Sequence, residues 1–156
     1  MKPKAESAAR TTLRQLKDYE NKVLGLLNDK DLGKALGFTG PTLSKIGGTK
    51  AADIAAEIES LKAQTSLDQL QEMRRNSPTG GALGNVSDAE GRRLENAKAA
   101  LETKQSEPNF RKNLNILLEN TRAAQKEVQK AFEEDFGEPL NQGDDLRESV
   151  KRKLGL

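Results

Sequence analysis

Apolar residues recur along this chain at intervals of three and four, interrupted by two glycine-rich stretches and followed by a polar tail. Leu13, Leu16, Tyr19, Val23, Leu26 and Leu27 form the first stripe, with Arg14, Lys17, Asp18 and Lys22 on the opposite face. Residues three and four apart share a helix face, so the pattern predicts a helix over about residues 5–28. Leu32, Leu36 and Phe38 suggest a short turn after it. Residues 37–50 hold four glycines and one proline in fourteen positions and read as a string of turns, with Leu43 and Ile46 as apolar anchors. A second helix is expected over about 51–75, where Ile54, Ile58 and Leu61 mark one stripe and Leu67, Leu70 and Met73 another. The step from Leu61 to Leu67 slips the phase. A kink near Thr65 is therefore the alternative to one continuous helix.

The second glycine-rich stretch is more sharply punctuated. Pro78, Gly80, Gly81 and Gly84 give a corner at 77–86, and Ser87 with Glu90 has the spacing of a capping box. A third helix is expected from about 88 to 105, with Leu94, Ala97 and Leu101 on its inner face. Ser106 then caps a fourth helix, with Glu107 and Pro108 in a first turn that favours both. Phe110, Leu114, Leu117, Thr121, Ala124, Val128, Ala131 and Asp135 follow in alternating steps of four and three, the pattern of a coiled-coil or bundle seam. Phe132 and Phe136 flank its end, and Gly137 and Pro139 stop the helix. The tail, 138–156, is polar, with a short helix expected in its Leu146–Leu154 stretch.

No segment alternates with the two-residue period of a strand, so the expected fold is all-α. The chain reads as an elongated bundle of about four helices, with a glycine corner at 77–86 and a long C-terminal helix; residues 1–137 form one domain and 138–156 its tail. Composition agrees, with 34% hydrophobic, 3% aromatic and 32% charged residues, which suits long amphipathic helices better than a compact α/β core.

The chain has neither Cys nor His. Disulfides, thiolate or imidazole metal sites, cysteine nucleophiles and histidine acid–base chemistry are thereby excluded. Carboxylates remain, densest at Glu133, Glu134 and Asp135, but consecutive acids on a helix point in different directions. The 77–91 corner lacks the Lys-Ser or Lys-Thr, the GxGxxG spacing and the preceding strand of a phosphate loop. No catalytic, cofactor-binding or metal-binding residue is therefore expected. No apolar run approaches the roughly 18–20 residues needed to span a bilayer, and the first ten residues have no apolar signal core.

The net charge of +2 is unevenly spread: residues 1–50 carry ten basic and five acidic side chains, residues 51–137 twelve and fifteen. Lys2, Lys4, Arg10, Arg14 and Lys17 are the candidates for contact with DNA or an acidic partner, together with Arg74 and Arg75. Arg92-Arg93 is a further basic pair. No aromatic residues interleave with these bases, so any contact would be sequence-independent. A solvated helix surface is the plain alternative.

Several strings in the chain resemble a helical module of tailed-bacteriophage virion proteins. They are LKAQ followed by LQEMR within 51–75, SPTGGALG and VSDAEG within 77–94, and SEPNFRKNLNIL at 106–117. The resemblance covers about Val23 to Phe136. It implies a non-enzymatic assembly role, associated with the portal and tail neck or with the DNA-ejection apparatus. The implied partners are other virion proteins or further copies of the chain, with nonspecific DNA contact as an addition. The implied location is the virion, with the host cytoplasm during assembly. On this reading Phe110, Leu114, Leu117 and Val128 hold the long helix to its neighbours. The competing expectation is a small helical DNA-binding or regulatory protein that uses its basic N-terminal segment. An enzyme acting through a Glu, such as a cell-wall lyase, is the third class.

Overall fold

The computed structural model describes residues 2–37, 45–63 and 82–140 of the chain. Among these residues four α-helices form an all-α bundle without strands: α1 (Lys2–Asn28), α2 (Lys50–Ala63), α3 (Ala82–Ala99) and α4 (Glu107–Phe136). A short 3-10 turn, Leu32–Ala35, follows α1. Expectations placed on Phe38, Leu43, Thr65, Leu67, Leu70, Met73 and the tail helix lie outside the described residues.

α4 is the centre of the bundle. Seven of its predicted seam residues, from Phe110 to Ala131, are buried, and Asp135 at the end is half-buried. α1 and α3 both pack on α4, while α2 packs on α1 and on the 3-10 turn. The seam is thus consumed inside the chain. Cross-helix bonds set the directions. Arg111 meets the carbonyl of Leu27, Arg122 meets Glu20, and Gln125 meets the carbonyl of Leu16, so α1 and α4 run antiparallel. Lys50 near Asp29 and Lys22 near Ser60 make α2 antiparallel to α1.

One row of α4 lies beside the seam and faces α1. Arg111, Leu118, Gln125 and Phe132 repeat every seven residues. Leu118 and Phe132 are buried, whereas Arg111 and Gln125 bond to α1. The apolar pair adds burial, and the polar pair sets the register.

The helix ends are satisfied in different ways, α1 by a side chain from another helix and α2 and α4 locally. α1 has no basic residue in its last turn. Arg111 supplies one, donating to the carbonyls of Leu27 at 2.5 Å and Asp29 at 3.0 Å. This places a cation where the helix dipole is negative and terminal carbonyls lack partners. Glu107 orients the same guanidinium at 2.7–2.8 Å and lies against Gly33, where a Cβ would strike its carboxylate. Thr49 caps α2, its Oγ1 accepting from the Ala52 amide at 3.2 Å. Gly137 ends α4 in the left-handed region at φ 72°, its amide donating to the Glu133 carbonyl at 2.7 Å.

Three expectations are corrected. Ser87 does not cap α3, because the helix begins at Ala82 and passes through Gly84, Ser87 and Glu90. The helix contains two glycines, Gly84 and Gly91, each costing only about 1 kcal/mol against alanine in a helix interior. Pro78, Gly80 and Gly81 lie outside the described residues. α3 also stops at Ala99, not near 105. A helix running to 105 would leave no room to reverse before α4, and bundle connections need about 2–8 residues. Gln105 and Asn113 instead bond the Ala100 carbonyl at 2.8 and 3.1 Å, and Leu101 reaches the core from the loop. Ile46, expected as an anchor, is 56% exposed. Its turn is held by the Thr49 hydroxyl, which donates to the Ile46 carbonyl, so burial of Ile46 is not needed.

Candidate functional site

The candidate contact residues belong to α1, and helix geometry separates them. Arg10, Arg14 and Lys17 step by four and three and share one face. Lys4 is exposed but lies about a third of a turn away from them, at ~100° per residue. Lys2 opens the helix, and its side chain lies outside the described residues, as do Arg74 and Arg75. The cations that share a face differ in what they meet. Arg10 donates to Glu6 through Nε at 3.1 Å and Nη2 at 2.7 Å. Lys17 donates to Glu20 at 2.9 Å. Arg14 is exposed beside Ser7, Arg10 and Thr11, with which it lines a surface depression.

Glu20 is the most unusual charged group described. It is 3% exposed, and Lys17, Arg122 and Gln125 all converge on its carboxylate, at 2.9, 2.7 and 3.0 Å. Burial alone would raise its pKa. The hydrogen bonds from Gln125, Arg122 and Lys17 outweigh that and hold it at about 2. Such a carboxylate stays ionised at neutral pH and has no proton to give as a general acid. Its role is to fasten α1 to α4.

The sequence pattern does not single out Glu20. It sits one turn after Leu16, on the edge of the apolar stripe, and Arg122 and Gln125 each follow a seam residue. A polar residue at the margin of a stripe was the available signal, and its partner 102 positions away was not.

Tyr19 is buried beside it on α1, and its hydroxyl has no hydrogen-bond partner among the described residues. Burial, with a smaller contribution from the charge of Glu95, pushes its phenol well above the ordinary value. Phe110, Leu114, Leu117 and Val128 are each fully enclosed, which makes them core residues. Among the acids weighed for catalysis, Glu133 and Glu134 are exposed and Asp135 is half-buried on α4. Among the described residues no group of three acids stands close enough to hold a metal ion. No described helix is long and apolar enough to cross a membrane.

A groove also runs between α1 and α2, with Gly25 and Leu26 on one wall and Ala56, Glu57 and Ser60 on the other. Lys22 crosses its end to Ser60 at 3.3 Å.

No family model matches the sequence, and neither a curated protein nor a solved structure matches it.

Proposed function

We propose that the chain is a non-enzymatic structural protein of a tailed-bacteriophage particle, placed at the portal and tail neck or in the DNA-ejection apparatus. The observation that carries this reading is the set of strings within 51–75, 77–94 and 106–117 that resemble the virion module. The bundle is compatible with it, since its helices bury their apolar stripes against one another and present a charged exterior. The buried carboxylate Glu20 serves as a fastening, which suits a protein whose task is to keep its shape.

Quantitative mass spectrometry of purified particles, recovered from a lysate of the host that carries the gene, tests the proposal. The chain is expected in fixed stoichiometry with the portal or tail proteins. Its absence from particles, with abundant free chain in the lysate, would overturn the reading.

A further inference from the structure

We propose that a second copy of this chain docks on the row of α4 that runs from Asn109 to Ala123, across a two-fold axis beside Ile116. Next to the buried seam, Asn109, Asn113, Ile116, Asn120 and Ala123 form another row in steps of four and three, so they share a helix face. All five are uncharged, in a chain of which 32% is charged. Asn109 is exposed, Asn113, Asn120 and Ala123 are half-buried, and Ile116 at the centre is 42% exposed. α3 leaves the row open. Asn96, Ala97 and Ala100 stand across a groove from Asn113, Ile116 and Asn120, and the two small alanine side chains leave room there for a further helix.

The chemistry of the row fits its own copy. A two-fold axis at right angles to α4 sets the two helices antiparallel, with Ile116 against Ile116. Residues equally far from Ile116 in opposite directions then lie level. Asn113 and Asn120 of the second copy come within one residue of level, about 1.5 Å of rise. Asn113 uses its amide hydrogens on the Ala100 carbonyl at 3.1 Å and on Gln105 at 2.9 Å, which leaves its oxygen as an acceptor. Asn120 of the second copy brings the donor, and symmetry makes the bond twice. Lys112 and Glu119, both exposed, flank the row on the side facing away from the groove, seven residues apart. Antiparallel packing brings Lys112 level, again within one residue, with Glu119 of the second copy. That gives two opposite-charge pairs beside an uncharged centre. The dimer does not depend on where in a particle the chain sits, or on its being in one.

The test is sedimentation velocity of the full chain over a wide range of concentrations. Reversible, concentration-dependent formation of a dimer is expected, in the weak class of small interfaces. Ile116→Asp should weaken it at least about tenfold, because two carboxylates then face each other at the axis. Ile116 is already exposed in the single chain, so circular dichroism should show this variant folded; the charge variants decide the matter if it is not. Lys112→Glu and Glu119→Lys should each weaken the dimer several-fold, although they move the net charge in opposite directions, and the two together should restore it. Glu57→Lys on α2 should leave it unchanged. A chain that stays monomeric at every concentration overturns the proposal. So does association that survives Ile116→Asp, or a double charge variant no stronger than the single ones. A monomer that takes up a different protein through Ile116 would assign the row to that partner and overturn it as well.

Discussion

Glu20 ties together several consequences at the scale of single residues. Its carboxylate receives three donors from two helices while almost excluded from water. Replacing it with Gln keeps the shape but leaves Arg122 and Lys17 without their anion. The expected loss is about 1–3 kcal/mol of stability at neutral pH, measured by urea unfolding. The pH dependence has a definite sign. The folded pKa, about 2, lies below the ordinary 4.5, so Glu20 stabilises the fold above about pH 4.5 and that contribution disappears as pH falls towards 2. Unfolding curves across this range should show a steep acid limb in the parent chain, flattened in Glu20→Gln. An equally steep limb in the variant would assign the acid sensitivity to other carboxylates. None of this was legible from the stripe alone, where Glu20 looks like any polar residue beside Tyr19.

Among the elements, α4 was the most legible and α3 the least. Alternating steps of four and three over most of a 30-residue helix leave only one face to bury. Phe110 stands at the start of that face with no exposure. Phe110→Ala should therefore cost about 3–5 kcal/mol, read as a fall in thermal midpoint and loss of helical signal on mild heating. α3 was misread because capping signals are local. Ser87, Asp88 and Glu90 have the right letters for a helix start, yet a helix already under way passes through them. Ser87→Ala discriminates between the two. A lost cap would destabilise by about 1 kcal/mol. In a helix interior alanine is the better residue, so the expected result is unchanged or slightly raised stability in thermal unfolding.

At the scale of the whole molecule, one continuous apolar cluster draws on α1, α2, α3 and α4 and on the loops that carry Leu36, Leu101 and Leu140. Such a core should melt as a unit. Tyr19 is the single tyrosine, there is no tryptophan, and its ring is buried at the α1 interface. Its fluorescence should therefore report the same transition as far-ultraviolet circular dichroism, with coincident midpoints; separated midpoints would mean that α1 leaves the bundle first. The pattern of apolar spacing determined the helical class and the inner faces of α1, α2 and α4, and the Gly137–Pro139 pair determined where α4 stops. Each of these depends on residues within a few turns of one another. Only the tertiary structure decided that α4 lies between α1 and α3, and that Arg111 completes the end of α1. It also decided that Glu20 is a fastening, met by Arg122 and Gln125 of α4. Those outcomes depend on groups some eighty to a hundred positions apart, brought within about 3 Å by burial of the stripes. Helical periodicity specifies which face is buried; it carries no information on which distant polar group will be waiting there.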